Sequence, residues 1–326
     1  MKYSVGIVGC GLIGGSLALR LSQSGVDVVV WDISDQTRLL CTDAGLDVAP
    51  SLEECIRDAD IVVLATPPDA LITTGLDVLQ YVSSGCVVTD VGSVKHAVSA
   101  NLTRAYGERS RQFIPGHPMA GKPAVGFPNA TPDLFDGCTW VLCASSERIA
   151  ELARHAGAAH VVIRDPREHD HQVAMISHVP QLAVSAVAAS LSPDEWQIVH
   201  ESDVLREAMR LSMSPYGLWR GIVSANEPAI RDGLAMLSLF SDTQESCTGE
   251  VDAVVAAMST GLVSVTRDAE ALELAGPGFR SATHALDAAI PDFARLTQAL
   301  APLDDLGNLQ YVFAKAHEGF QHASMR

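Results

Sequence analysis

Three groups of residues in this chain have the types and spacing to do chemistry. Gly9, Gly11 and Gly14 fit the pattern G-x-G-x-x-G. In that pattern one glycine makes a tight turn, one lets the backbone approach a pyrophosphate, and one lets a helix pack closely on a strand. The amides and dipole at the helix start then favour phosphate. The fingerprint wants an acid about 20 residues on, for a ribose 2′-hydroxyl, and Asp32 stands there. A glycine-rich turn in some other α/β protein is the plain alternative. The apolar run Val5-Gly6-Ile7-Val8 before the glycines and the helix-like Leu17-Ala18-Leu19 after them favour the dinucleotide reading. The second group is His117, set between Gly116 and Pro118. That is a poor place for a core residue and a good one for a general acid/base, given the ordinary histidine pKa near 6.5. The third group is Thr66-Pro67-Pro68 and Gly92-Ser93-Val94-Lys95. Ser93 can donate and accept a hydrogen bond, and Lys95 can meet an anion.

These residues need a scaffold that brings their loops to one edge. Residues 1–165 alternate short apolar runs with helical stretches, the pattern of a parallel sheet wrapped by helices. Strands are expected at 28–31, 46–48, 59–65, 86–91 and 113–115, with 139–143 and 160–163 closing the same sheet. Helices are expected at 37–44 and 52–57. In such a sheet the loops at the carboxyl ends of strands face the ligand. Thr66 and Pro67 then lie beside the cofactor, although the prolines serve equally well as a rigid turn. Ser93 and Lys95 face the site, or cap a helix, or sit in solvent. The expected class is α/β: an N-terminal Rossmann-type dinucleotide-binding domain followed by an all-helical domain.

From residue 167 strand signals become scarce and apolar residues recur at three and four. Helices are expected at 173–191, from 193, at 208–211, 219–224, 229–239 and 251–265. This domain, residues 166–265, carries more apolar surface than a module of its size buries alone, so it is expected to pair across a two-fold. Residues 266–326 form a C-terminal extension of open fold, with a helix expected at 293–300 and a strand-like run at 308–315.

Composition limits the partners. The chain has 326 residues, 48% hydrophobic and 19% charged, as a folded protein does. A net charge of −17 argues against nucleic acid or an anionic membrane surface as partner. An anionic substrate must therefore be drawn in by local cations. The 7 cysteines are scattered without C-x-x-C spacing, which suits free thiols in a reducing compartment. They read as small buried hydrophobes, with a catalytic or metal-binding cysteine as the alternative, and no metal site is expected. No apolar run reaches the roughly 18 residues of a membrane span. No basic leader precedes the first strand. The expected location is cytoplasmic.

Five blocks in order then resemble the prephenate/arogenate dehydrogenases of tyrosine biosynthesis. They are Gly9–Ser16, Thr89–Lys95, Gly116–Gly121, His169-Asp170 with Ser177–Leu182, and Arg210–Pro215 with Leu218–Ile222 and Asn226. The resemblance implies an NAD-dependent oxidative decarboxylation of a prephenate-like dicarboxylate. Hydride leaves the carbon bearing the ring hydroxyl, the ring carboxylate departs as CO2, and the ring becomes aromatic. It implies His117 as the group that accepts the hydroxyl proton, with Ser93 orienting it. It implies Arg210 as the cation for a substrate carboxylate, and His178 as a pocket residue. Read without the resemblance, Arg210 is a surface helix residue beside Glu207, and His178 is a satisfied helix residue. The cofactor contacts implied are Gly9, Gly11, Leu12, Ile13, Gly14, Asp32, Thr66 and Pro67. Relatives resemble intertwined homodimers, and some carry a regulatory ACT domain after the helical one; here a helical extension serves as well.

The chain departs from the family's pattern at two places. Many members place Ser/Thr-Glu after the His-Pro-Met-Ala-Gly block, where this chain has Lys122-Pro123. Lys122 either binds an extra carboxylate, favouring prephenate over arogenate, or points to solvent. The Gly276-Pro277-Gly278-Phe279-Arg280 stretch comes after the Arg210 block, not before it. His284 and Phe293 there echo the spacing of Arg210 and Trp219. Two other functions fit the residues less well. An inactive nucleotide sensor would lack His117, Ser93 or Arg210, and all are present. A β-hydroxyacid dehydrogenase would want a lysine on the first helix of the second domain, and none occurs between residues 123 and 314.

Overall fold

The computed structural model describes residues 3–122, 124–242, 310 and 313–317. The expected helix at 251–265, nearly all of the 266–326 extension, Pro123 and Cys247 lie outside the described residues.

The chain folds into two compact units. One comprises Met1–Ile176 with Gly217–Ala229, the other Ser177–Tyr216 with Ile230–Arg326. The first unit opens with strand β1 (Val5–Val8), helix α1 (Leu12–Gln23), β2 (Val28–Trp31), α2 (Asp35–Asp43), β3 (Asp47–Val48), α3 (Leu52–Ile56), β4 (Ile61–Leu64) and α4 (Pro68–Tyr81). It continues with β5 (Val87–Asp90), α5 (His96–Tyr106), β6 (Phe113–Ile114), β7 (Gly116–Pro118), β8 (Thr139–Leu142), α6 (Glu147–Ala156), β9 (His160–Ile163) and α7 (Pro166–Val173).

Strands β1 to β6 make one parallel sheet in the order β3-β2-β1-β4-β5-β6. That is the doubly wound dinucleotide-binding order, with the chain reversing direction of travel beside β1. The central strands β1 and β4 are buried along their whole length, as expected where helices cover both faces. One face packs Leu17, Ala18 and Leu21 of α1 against Ile7, Val30 and Val63. The other packs Leu71, Val78 and Leu79 of α4 against Val62, Leu64 and Val88. Helix starts follow the local chemistry: Ser34, Ser51 and Ser146 cap α2, α3 and α6 with their hydroxyls.

One expectation fails. The runs at 139–143 and 160–163 do not close the main sheet. They form β8 and β9 of a separate sheet, ordered β7-β8-β9, in which β7 and β8 run antiparallel. The reason is the short link at Pro115, which turns the chain out of β6 and presents Gly116–Pro118 to a new partner. His117 pairs with Val141 there.

The second unit is helical in its described residues, in keeping with the expected class. It contains α8 (Val179–Ser190), α9 (Pro193–Glu201) and α10 (Asp203–Met209). Their core joins Val187, Ala188, Trp196, Val199, Leu205 and Met209. Ser192 and Glu195 form a capping box at the start of α9. Two further helices, α11 (Tyr216–Ala225) and α12 (Glu227–Asp242), carry the chain through Gly217–Ala229 and onward. The helical stretch Pro166–Ser190 is long and apolar enough to match a membrane span by length and composition, and more than half of its apolar window is buried. A buried core helix passes the same test.

Candidate active site

A parallel sheet places the carboxyl ends of its strands on one edge, and four segments meet the ligand side there. The loops after β1, β4 and β5 carry the glycine run, Thr66 and Ser93, and the segment after β6 passes through Pro115 into β7, which carries His117.

The loop after β1 is built for a close-approaching anion. Gly9 has a φ of +96°, and a Cβ there would stand 2.6 Å from the Ala65 carbonyl oxygen. A Cβ on Gly14 would stand 2.0 Å from the Gly9 carbonyl oxygen. Around Gly11, by contrast, nothing lies within 4 Å of where a Cβ would be. Two glycines are thus required by packing, and the third leaves an open space at the helix start. Gly11 is the N-cap of α1 and no side chain caps that end, so its first amides face the opening. Leu12 is buried, and Ile13 is half-buried against the core of the unit.

Asp32, at the end of β2, accepts from the Cys10 amide at 2.7 Å and from the Ser34 amide at 2.9 Å. Its carboxylate therefore sits beside the glycine loop. Arg38 donates to the Asp32 carbonyl at 2.6 Å and pairs with Asp35, so it is engaged away from that carboxylate. Thr66 follows β4, and its hydroxyl is buried with no hydrogen-bond partner. A buried hydroxyl left so is costly and calls for an acceptor or donor from a bound molecule. Pro67 is the exposed N-cap of α4. An open cradle at Gly11, a free helix start, an acid beside the loop and the orphaned Thr66 hydroxyl all fit a dinucleotide.

Strand β7, which follows β6 after Pro115, is held rigidly at its start. Lys95 and Asp90 form a fully buried ion pair. Lys95 Nζ also donates to the Gly116 carbonyl at 2.7 Å, and Asp90 Oδ1 accepts from the Gly116 amide at 3.1 Å. Both backbone groups of the residue before His117 are thereby fixed. Burial pushes the Asp90 carboxyl up, while the Lys95 ammonium beside it pulls the other way. Lys95 is thus a clamp inside the protein, not an anion contact or a solvated side chain.

The His117 ring is held from the other side. Its Nδ1 lies 2.9 Å from His169 Nε2, with the rings edge to face. His169 Nδ1 lies 2.8 Å from Asp170 Oδ1. Asp170 in turn accepts from the Lys95 amide at 2.7 Å and the His96 amide at 2.8 Å, at the start of α5. Asn226 donates to the Asp170 carbonyl at 2.8 Å. Residue-by-residue reading assigned no role to His169, Asp170 or Lys95's clamp. Only the resemblance carried a signal, since His169-Asp170 is one of its blocks. Ser93 is half-buried on the loop after β5.

The remaining candidates have other surroundings, each described within its own unit. Lys122 is exposed and donates to Thr131 at 3.0 Å. His178 and Arg210 belong to the second unit. His178 is buried and ends the π-helical turn Ala174–His178. Arg210 opens a short turn and pairs through Nε with Glu207 at 2.7 Å. Cys10, Cys41, Cys55 and Cys86 are buried free thiols, and Cys138 and Cys143 are half-buried ones.

Two family models match the chain: "Prephenate dehydrogenase, nucleotide-binding domain" over residues 16–159, and "Prephenate dehydrogenase, dimerization domain" over 165–240. The first match starts past the glycine loop, so the cradle is an independent observation. The prephenate dehydrogenase of Bacillus subtilis is 29% identical over 249 residues, 71% of this chain and 66% of its own. That of Lactococcus lactis is 25% identical over 233 residues, 68% of this chain and 64% of its own. The chain thus spans about two thirds of the length of these curated relatives. In fold it is similar to the A. aeolicus prephenate dehydrogenase solved with hydroxyphenyl propionate and NAD+, at a TM-score of 0.65 and 21% identity. That match covers 84% of this chain and 98% of the other.

Proposed function

We propose, since this chain belongs to the prephenate dehydrogenase family, that it catalyses the NAD-dependent oxidative decarboxylation of prephenate to 4-hydroxyphenylpyruvate. The observation that carries this reading is the placement of His117. It stands at the carboxyl edge of a dinucleotide-binding sheet, with its backbone clamped by Lys95 and Asp90 and its ring held by His169.

Gly9, Gly11, Leu12, Ile13, Gly14, Asp32, Thr66 and Pro67 would hold the dinucleotide, which when bound supplies a hydride acceptor. Asp32 favours NAD, because its carboxylate would repel a 2′-phosphate and Arg38 is engaged with Asp35 and the Asp32 carbonyl. His117 accepts the ring hydroxyl proton as that carbon becomes a carbonyl. Ser93 touches the same hydroxyl and helps aim it. The carbon–carboxylate bond then breaks to release CO2, its electron pair enters the ring, and the ring becomes a phenol on protonation. Aromatisation supplies the driving force, so the protein has to align the reacting carbon and remove one proton. Arg210 would supply the planar cation for a substrate carboxylate, with His178 lining the pocket. The helical domain would form the interface of a homodimer, and the chain would act in the cytoplasm.

Arogenate is the second reading, and Lys122 bears on it. An exposed ammonium held by Thr131 is available to a second carboxylate, which prephenate's keto-acid arm presents without the amino group of arogenate. The test is reduced-cofactor formation with prephenate and arogenate, each with NAD and NADP. Turnover of prephenate with NAD is expected to lead, and Lys122→Ala is expected to lower the prephenate-to-arogenate ratio of kcat/KM. No turnover of either substrate would overturn the function, and an unchanged ratio would remove Lys122 from specificity.

A further inference from the structure

We infer that His169 is a positioning residue that locks His117 in the tautomer with its proton on Nδ1 and its lone pair on Nε2. This rests on the reading of His117 as the base. A histidine can take a proton from a hydroxyl only through a nitrogen that carries a lone pair, and the two ring nitrogens are set by what the other one touches. The chain of contacts decides which. Asp170 faces three N–H groups: the amides of Lys95 and His96 and the His169 Nδ1. It can only accept from all of them.

The two amides are the first of α5, so the positive end of that helix already meets the charge of Asp170. Asp170 therefore needs from His169 a hydrogen bond, not a full positive charge. His169 gives it through Nδ1–H. A neutral imidazole that donates from Nδ1 must accept at Nε2. The partner at Nε2 is His117 Nδ1, 2.9 Å away, which must then donate. The lone pair of His117 falls on Nε2. Helix start, carboxylate, imidazole and imidazole form a directional series that ends in a base. His169 and Asp170 are both buried, so water does not compete for these bonds.

Two measurements test this. A long-range proton–nitrogen correlation spectrum of the imidazole rings, on the full chain without substrate, reads the His117 tautomer directly. The expected spectrum has the His117 proton on Nδ1; a proton on Nε2 overturns the inference, whatever the enzyme turns over. Kinetics then separate positioning from mere support. His169→Leu removes the acceptor and is expected to lower kcat about 100-fold, while KM and NAD binding stay within about twofold. In His169→Gln the side-chain oxygen can take the place of Nε2, so kcat is expected to recover to within about tenfold of the parent. Equal loss in the Leu and Gln variants, or no loss in either, overturns the inference. A parent chain that shows the expected tautomer yet turns over neither substrate would instead overturn the proposed reaction, leaving the tautomer lock in place.

Discussion

His117→Asn separates holding the substrate from reacting with it. Asparagine keeps a polar side chain of similar reach but cannot carry away a proton at neutral pH. Turnover is expected to fall by at least about 100-fold, the usual contribution of a general base. NAD binding, followed by fluorescence or calorimetry, is expected to stay nearly unchanged. Surviving turnover would remove His117 from the chemistry. At this scale the sequence was partly legible. His117 announces itself because it sits between Gly116 and Pro118. The network behind it does not. Lys95 meets the Asp170 carboxylate across 75 positions, and His169 meets His117 across 52. No local spacing encodes such pairs. Lys95 in a loop also looks like an anion contact, and only the fold turns it inward to Asp90.

The glycine loop shows how an element divides its requirements. Gly14→Ala forces a methyl onto the Gly9 carbonyl, and Gly9→Ala adds an unfavourable φ to a clash with Ala65. Each is expected to cost about 1–3 kcal/mol or more of stability, as overpacking does. Gly11→Ala meets open space and is expected to change stability by less than about 1 kcal/mol, while weakening NAD severely. Urea denaturation and a cofactor titration on the three variants check this. Equal destabilisation by all three would contradict the division. The glycine pattern and its flanking strand and helix were legible because they are contiguous. The second sheet was not. An apolar run such as 139–143 does not reveal its partner, and a short antiparallel pairing with Gly116–Pro118 leaves no periodic mark.

For the molecule as a whole, buried thiols set an alkaline limit. Burial pushes Cys55 and Cys86 up to about 12, against about 8.5 in an unfolded chain. A raised folded pKa gives stability that is complete below the unfolded value and is lost as pH rises through the folded one. Each thiol should remove roughly 1 kcal/mol per pH unit between those limits. Thermal midpoints are expected to hold up to pH 8 and to fall from about pH 9 upward, with both thiols slow toward alkylating reagents at neutral pH. A flat alkaline profile would show that these thiols ionise freely in the fold. Gel filtration with light scattering is expected to find a dimer; a monomer would contradict the proposed helical interface. The fold class could be read at this scale because composition, element order and motif agree.

The first unit is not a continuous stretch of chain. After Ile176 the polypeptide leaves it and returns with Gly217–Ala229. That returning segment brings Asn226 to the Asp170 carbonyl, Arg220 to Asp69 and Gly221 close to Pro68. On the ribosome, therefore, the dinucleotide-binding half cannot finish when its sheet has emerged. The residue that anchors the His169–His117 series waits for the donor to its backbone carbonyl until about residue 226 has been translated. The helical insertion must be made before the site can be completed. A gene cut at the apparent end of the nucleotide-binding half would encode all of the described strands and still lack the Asn226 donor to the Asp170 carbonyl.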